Sequence, residues 1–513
     1  MTRRIQCNRA AGSHRVLGAR GSAPGPRSRT WPVTVAAACA LATVLAGCGS
    51  RLTQQTIADA ARRPIVRTAA GPSGSPGSAT TNAPASSDQT GGTSTAGSTS
   101  GATAAGSAGT GGSGGGGSSS SGHVATSPSS GGTTSPSAAA TGASNATSGS
   151  TIDLGNVGTY SGVIGAVFSG AQQALGVWQA YINAHGGLAG HPVHIYIEDD
   201  GGDPTTSATE VQQEVTQDHV IAFVGNLVPL TASASVSYLQ QQNIPVIGGD
   251  ASSDTWWQSP MLFPASGSDV GPYQANFTIK AAAAKGGTKM AFLYCVEDTT
   301  CTNAYQSLIV QNGIAADGVD PVYVSSISIT QPDFTTQCLD AKQAGATFVY
   351  FAGDGDSLER MANDCAAQGY NPLYAADSIA VSATIASNPH LNGLIAGQTN
   401  FPWVDSYTPA QALYQQAVKT YDPGLVGSAS TAAEWASGML AVAADKYLTA
   451  TPTSAEFLQG LWSIKGDDLG GLSPPLTFNQ NAPATPSNCF FLMTLQNGQF
   501  VDLQNGATTC VSS

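Results

Sequence analysis

The chain has 513 residues, its formal net charge at pH 7 is −13, and only 10% of its residues are charged. A chain this acidic and this poor in basic side chains is not built to bind nucleic acid, which excludes that class of partner. Glycine, serine, threonine and alanine crowd one region, so the 41% hydrophobic average combines a segment without a core with a compact one.

Residues 1–47 have the pattern of a secretory signal peptide. All seven basic residues in this stretch are arginines, and an uncharged apolar run at residues 31–45 is too short for a permanent membrane span. The run ends in Leu45-Ala46-Gly47-Cys48, which resembles the lipobox of bacterial lipoproteins. The resemblance implies a lipid on Cys48 that anchors the protein to the outer face of the bacterial cytoplasmic membrane. The alternative is an uncleaved anchor or a buried helix with an accidental thiol at Cys48.

Residues 48–150 are predicted to be a disordered linker. Glycine, serine, threonine, alanine and proline dominate the segment, and Asp88 is the only charged residue between positions 71 and 150. Such a composition cannot bury a core. As a flexible coil of about 100 residues, it would reach a root-mean-square length of about 50–60 Å, enough to hold a tethered domain away from the membrane.

Residues 151–513 are long enough for two lobes of ordinary size. From residue 152 on, 30 acidic residues stand against eight basic ones, and Arg360 is the only arginine. Strand and helix patterns alternate along this part of the chain, which predicts parallel sheets covered by helices on both faces. Strands are predicted around residues 193–197, 220–224, 244–247, 290–294, 322–329 and 347–351. Helices are predicted around residues 171–184, 204–218, 231–242, 303–316, 334–344, 357–368 and 434–447.

Local signals support several of these boundaries. His185-Gly186-Gly187 ends the first helix as a glycine C-cap, and Asp203-Pro204 opens the second with an N-cap and a first-turn proline. Near the C-terminus, Asn497-Gly498 separates two apolar runs, which predicts a two-residue hairpin.

Five segments carry a family pattern: 157–162 (VGTYSG), 180–190 (AYINAHGGLAG), 198–204 (EDDGGDP), 224–226 (VGN) and 243–247 (NIPVI). They resemble the leucine/isoleucine/valine-type binding proteins of ABC importers. The resemblance covers most of residues 152–502, and it is most specific in the first 50 of them. The resemblance implies a periplasmic binding protein type 1 fold: two Rossmann-like lobes joined by a three-crossing hinge that close on a small ligand. By this analogy lobe 1 is about residues 152–274 and 400–487, and lobe 2 is about residues 275–399 and 488–513.

Six cysteines follow the linker, an even number that favours disulfides in an exported chain. Six thiols allow 15 pairings, of which the sequential one is geometrically easiest. Zinc is the alternative, but no C-x-x-C spacing and no clustered histidines accompany the cysteines. The sequential pairing joins Cys295 to Cys301, Cys338 to Cys365 and Cys489 to Cys510.

Ligands of open parallel sheets bind beyond the carboxyl ends of the strands, which identifies the candidate loops. In lobe 1 the loop from Asn226 to Thr231 offers helix N-terminal amides and a hydroxyl to a carboxylate or carbonyl. The next loop holds Asp250 and Ser252, and the family's second hydroxyl contact falls on Ser252. Pro229 stands where the family usually has a serine.

In lobe 2 the corresponding loops carry acids: Glu297 with Asp298, Asp354 with Asp356, and Asp377. The resemblance implies that Asp377 holds a ligand's ammonium group. Each acid alone is equally well explained as a helix N-cap or a solvated loop charge, and their convergence at successive strand ends favours a site.

The sequence therefore predicts a solute-binding lipoprotein, without cofactor or metal, that captures an amino acid or amide-like ligand and works with an ABC permease. A cationic ligand also fits the acidic rims. A sensor that presents its closed form to a membrane receptor would share all these residues. A secreted enzyme is a further alternative, but no phosphate-binding loop, nucleophile elbow or metal spacing occurs.

Overall fold

A parallel five-stranded sheet forms the centre of the first lobe. The computed structural model describes residues 148–168, 170–269 and 273–511. The strand order is β2-β1-β3-β4-β5 and every neighbouring pair is parallel. Leu154, Ile195 and Ala222 lie side by side across three of these strands and are buried. The strands are β1 (Ile152–Gly158), β2 (Val193–Asp199), β3 (Ala222–Asn226), β4 (Val246–Gly249) and β5 (Leu262–Phe263).

Helices from two distant parts of the sequence cover this sheet. They are α1 (Ala171–Ala184), α2 (Pro204–Thr216), α3 (Ala232–Gln242), α8 (Pro409–Tyr421), α9 (Ala429–Ala444) and α10 (Ser454–Trp462). Helix α9 packs on β3, β4 and α1, and the indoles of Trp178 and Trp435 are fully buried there. The Asp203 carboxylate accepts the first free amides of α2, as its sequence position predicts. The N–H of Gly187 donates to the carbonyl of Ile182 at 2.8 Å, which confirms the glycine end of α1.

The second lobe holds a larger sheet with the order β7-β6-β8-β9-β10-β13-β14. The first five strands are parallel, while β13 and β14 run antiparallel and form the predicted hairpin around Asn497-Gly498. The short β15 (Thr509–Cys510) pairs with β13, and β11 (Lys465–Asp467) pairs with β12 (Leu476–Thr477) elsewhere. The other strands are β6 (Lys289–Cys295), β7 (Asp320–Ile327), β8 (Phe348–Ala352), β9 (Leu373–Ala376), β10 (Ile395–Gln398), β13 (Cys489–Gln496) and β14 (Gln499–Asp502).

Four helices belong to the second sheet: α4 (Tyr273–Gly286), α5 (Thr299–Tyr305), α6 (Thr335–Gln343) and α7 (Gly355–Ala367). The prediction of a helix at residues 303–316 was wrong in both bounds. Asp298 caps α5, which begins four residues earlier than predicted, at Thr299, and a π-helical turn (Gln306–Val310) follows it. Asn312 then takes a left-handed φ of 61°, which the helix cannot continue through.

Two strands begin about two residues later than their apolar runs suggest. Strands β3 and β4 start at Ala222 and Val246 rather than at residues 220 and 244. The N–H groups of Val220 and Ile244 are still bonded to carbonyls of the preceding helices. At the other end Asn226 pairs with Gly249, so the sheet continues past the apolar residues.

Three chain segments join the lobes and lie side by side. In the first segment the N–H of Gly267 donates to the carbonyl of Thr399 at 2.9 Å, which links it to the second. The N–H of Ser268 donates to the carbonyl of Ser487 at 3.1 Å, which links it to the third. The amide side chain of Asn400 adds a bond of 2.8 Å to the carbonyl of Ala265.

The three disulfides predicted from sequence order are present. Cys295 and Cys301 join the end of β6 to α5, Cys338 and Cys365 join α6 to α7, and Cys489 and Cys510 join β13 to β15. Cys48 and the predicted signal peptide and linker lie outside the described residues, apart from the last three linker positions. None of the helices in the described part of the chain is both long enough and apolar enough to cross a membrane.

Candidate ligand-binding cleft

A cleft of about 430 Å³ lies between the carboxyl ends of the two sheets. Lobe 1 contributes the loops after β1 and β4 and the first turns of α9, and lobe 2 contributes the loops after β7, β8 and β9. The interlobe segments close one end with Ser266, Asp269, Thr399 and Asn400. This position follows from the topology, because parallel strands direct their connecting loops to one edge of each sheet.

Much of the cleft wall is apolar. Phe168 and Leu227 face it from lobe 1, and Ile329, Ile379 and Val381 face it from lobe 2. At the mouth Val163 is 64% exposed and Val426 is 50% exposed. Exposed apolar side chains beside a cavity are typical of a surface that binds a partly apolar ligand or closes over it.

Four carboxylates, the acidic cluster, converge at the end of the cleft next to the interlobe segments. Asp250 follows β4, Asp298 follows β6, Asp377 follows β9, and Asp269 lies on the first interlobe segment. Asp250 and Asp269 line the cleft itself. Asp298 lines a small adjoining hollow with Asp250, and Asp377 lines another with Asp269.

The pKa values of the acidic cluster are raised, chiefly by burial. Burial together with the negative charge of Asp298 raises the pKa of Asp250 to about 7. Burial raises the pKa of Asp377 to about 6 although Tyr350 donates a hydrogen bond to it, and burial raises the pKa of Asp298 as well. The pKa of Asp269 lies well above its usual range because burial is joined by three neighbouring carboxylates. Burial and mutual repulsion therefore favour the protonated forms of these four carboxyl groups.

In the loop after β4, the loop's own aspartate accepts the hydrogen bonds that the neighbouring serine donates. The carboxylate of Asp250 accepts from the N–H of Ser252 at 3.0 Å and from its hydroxyl at 2.7 Å. Asp354 acts in the same way at the start of α7, where it accepts from the N–H of Ser357 at 2.9 Å and its hydroxyl at 2.8 Å. By contrast, Oδ1 of Asp269 is buried and has no hydrogen-bond partner among the described residues.

One basic side chain, that of Arg360, lies among the described residues that line the cleft. A guanidinium N–H of Arg360 donates to the carbonyl of Ile329, while its Nε has no partner in the described part of the chain. Asp354 and Asp356 line the same cleft, and Asp356 precedes Arg360 by four residues on α7, so the two side chains are neighbours on the helix.

The predicted site residues divide into three groups. Asp250 and Asp354 line the cleft, whereas Ser252 and Asp377 line the hollows beside it. The structure does not bring Asn226, Thr231 or Glu297 to the cleft, and their polar groups have other partners. Asn226 accepts from the N–H of Val157, Thr231 donates to Asp200 at 2.5 Å, and Glu297 accepts from Ser328 and Ile329.

Sequence reasoning missed the position of Asp269 and left Arg360 unassigned. Arg360 carried a usable signal, because it is the only arginine from residue 152 on. The position of Asp269 at the cleft could hardly be inferred from the sequence, because no strand directly precedes this residue. Its place depends on how the interlobe segments pack. Of the two adjacent tryptophans, Trp256 is buried in the lobe 1 core, and Trp257 donates to the carbonyl of Ala251, a residue of the cleft wall.

Residues 151–499 match the family described as periplasmic binding protein. The chain belongs to the periplasmic binding protein family. The Leu/Ile/Val-binding protein of Escherichia coli strain K12 is 24% identical over 234 residues, which make up 44% of this chain and 61% of that relative. The matched segment thus spans less than two thirds of the relative's length.

Solved structures of this family share the two-lobed arrangement. A branched-chain amino acid ABC transporter protein from Thermus thermophilus, with bound valine, superposes with a TM-score of 0.62 at 14% identity, covering 71% of this chain and 97% of that one. A solute-binding protein from R. palustris, in complex with benzoate, gives a TM-score of 0.58 at 16% identity, covering 71% and 98%. At these identities the likeness establishes the fold, and the predicted periplasmic binding protein type 1 fold is confirmed.

Proposed function

We propose that the protein is an extracytoplasmic solute-binding lipoprotein that captures a small polar ligand, an amino acid, an amide or a cation, and delivers it to an ABC importer. The observation that carries this proposal is the cleft of about 430 Å³ built from both lobes, with carboxylates at one end and apolar side chains along its walls. A cavity of this size and lining suits a small organic molecule. Residues 151–513 would form the solute-binding domain.

The proposed mechanism is hinge closure without chemistry on the ligand. Three interlobe segments provide the hinge, and a ligand held by groups of both lobes favours the closed form over the open one. The closed form would then be the shape that the permease recognises.

Thermal unfolding of the full chain against amino acids, amides and amines tests the binding proposal. A ligand at a thousandfold excess over its dissociation constant adds about 4 kcal/mol of stability, which raises the melting temperature by several degrees or less in a domain of this size. Asp250→Asn should remove the shift, while Asp320→Asn, which makes the same change at the exposed start of β7, should retain it. A folded protein that no compound stabilises would refute the proposal.

The lipid anchor is the second part of the proposal. We propose that residues 1–47 are removed, that Cys48 becomes the acylated N-terminus, and that residues 48–150 tether the domain to the membrane. Mass spectrometry of the mature N-terminal peptide should find Cys48 carrying acyl chains. Cys48→Ala should move the protein from the membrane fraction to the soluble fraction, and retention of this variant at the membrane would contradict the anchor.

A further inference from the structure

The end of the cleft holds a space the size of one ammonium group. A hollow of about 10 Å³, lined by Asp269, Thr300, Asp377 and Ser378, adjoins the cleft. Asp269, Ser378 and Ile379 line both spaces, so the hollow opens beside the apolar wall. Such a volume accommodates about one water-sized group, and a primary ammonium group is of that size.

The carboxyl groups around this hollow favour a cation over a neutral or anionic group. Asp269 faces Asp250, Asp298 and Asp377, which come from three different loops, and its Oδ1 has no partner among the described residues. The described residues that line the cleft include no lysine, and Lys280 on the nearby α4 is paired with Asp317 at 2.8 Å. Buried carboxylates without a countercharge are costly, and a bound cation removes that cost.

The same rims are unsuited to a ligand carboxylate. In lobe 1 the backbone N–H and the hydroxyl of Ser252 both donate to the carboxylate of Asp250. In lobe 2 the backbone N–H and the hydroxyl of Ser357 both donate to the carboxylate of Asp354. A carboxylate placed at either loop would therefore meet a carboxylate of the protein instead of a free N–H or hydroxyl. Arg360 is the one basic residue among the described residues of the cleft wall, where two acids, Asp354 and Asp356, accompany it, and one of its guanidinium N–H groups already donates to the carbonyl of Ile329.

We infer that the cleft binds a primary amine that carries no carboxylate, with its ammonium group between Asp269 and Asp377 and its apolar body against Ile379 and the neighbouring wall. This inference rests on the proposed function and narrows its ligand class. Asp269 is the residue on which this inference depends beyond the proposed function. Its unpaired oxygen gives the ammonium group an acceptor on the hinge itself. Binding there links the ligand's charge to the segment about which the lobes close.

Matched pairs of amino acids and their decarboxylated amines test the inference by titration calorimetry on the full chain. The pairs are leucine with 3-methylbutylamine and phenylalanine with 2-phenylethylamine. We expect at least one amine to bind ten or more times as tightly as its amino acid, and its N,N,N-trimethyl derivative, which is too large for the hollow, to bind at least tenfold more weakly. An amino acid that binds as tightly as its amine overturns the inference and leaves the proposed function standing. Binding of no amino acid, amide or amine overturns both.

Two isosteric variants locate the ammonium group. Asp269→Asn should weaken amine binding at least tenfold, whereas Asp320→Asn at the exposed start of β7 should leave it within twofold. Removing a buried unpaired carboxylate should not lower the melting temperature, so a loss of binding by Asp269→Asn is separable from unfolding. Unchanged amine affinity in a folded Asp269→Asn protein would overturn the assignment.

Discussion

Replacing Glu214 by glutamine should strongly change the pH dependence of the protein's stability. Glu214 lies on α2 and is fully buried, and neither of its carboxyl oxygens has a hydrogen-bond partner in the described part of the chain. It packs against Gly155 of β1, where a Cβ would stand 2.0 Å from a carboxyl oxygen of Glu214. The carboxyl group of Glu214 therefore lies directly against the backbone of β1.

The magnitude follows from the two protonation equilibria. Burial raises the pKa of Glu214 from 4.5 to about 9, with a further contribution from the charge of Glu198. Below pH 4.5 both the folded and the unfolded chain are protonated at this residue. Between pH 4.5 and 9 the unfolded chain ionises and the folded chain does not, so stability falls by about 1.4 kcal/mol per pH unit. By pH 8 the loss is about 5 kcal/mol.

Denaturant unfolding of the full chain at pH 4, 6 and 8, without reducing agent, measures this effect. Glutamine is neutral at every pH, so any fixed cost of burying its amide cancels between pH values. We expect the stability of Glu214→Gln relative to the unaltered protein to rise by about 5 kcal/mol from pH 4 to pH 8. Glu359→Gln, at a partly exposed position of α7, serves as the control and should follow the unaltered protein. Parallel stability curves for Glu214→Gln and the unaltered protein would refute the reasoning.

Three further outcomes are expected. Asp203→Ala removes the N-cap of α2 and should cost about 1 kcal/mol of unfolding free energy in denaturant titrations, and an unchanged midpoint would contradict the cap. Replacing both Cys338 and Cys365 by alanine opens a 27-residue loop and should cost about 3.5 kcal/mol, against about 2 kcal/mol for the disulfide with a separation of six, measured in the same way. Binding of an amine at pH 7 should release protons, because the cation lowers the raised pKa of Asp250; calorimetry in two buffers of different ionisation enthalpy measures this, and proton uptake would contradict it.

Much of the fold was predictable because local sequence patterns determine where its strands, helices and turns form. The alternation of apolar periods of 2 and 3.6 gave the order of strands and helices, and Asp203 and Gly187 act at the helix ends where local chemistry predicts them. The disulfides followed sequence order because each one joins adjacent elements. The first residues of the strands were less predictable, because an apolar residue such as Val220 can equally well lie in the turn before the strand.

The site was predictable only to the level of its loops. Loops after strands β4, β8 and β9 do reach the cleft region, as the topology requires. Which side chain is free to bind was not predictable, because it depends on partners distant in sequence. The hydroxyl of Thr231 donates its hydrogen bond to Asp200, 31 residues earlier in the sequence. Asp269 lies close to Asp377 only because of the way the hinge segments pack.

Rising pH has different consequences at the buried acids of the core and at the acids of the cleft. Core acids such as Glu214 and Glu434 have raised pKa values because of burial, so they make the empty protein less stable as pH rises. The cleft acids Asp250 and Asp269 have raised pKa values in the empty protein as well, but a cation held between Asp269 and Asp377 stabilises the ionised forms of both acids. Proton and ligand therefore compete for the same carboxylates. It follows that the contribution of Asp250 to the stabilisation given by a cationic ligand should grow as pH rises toward about 7 and level off above it, because the empty protein then no longer has to release the proton.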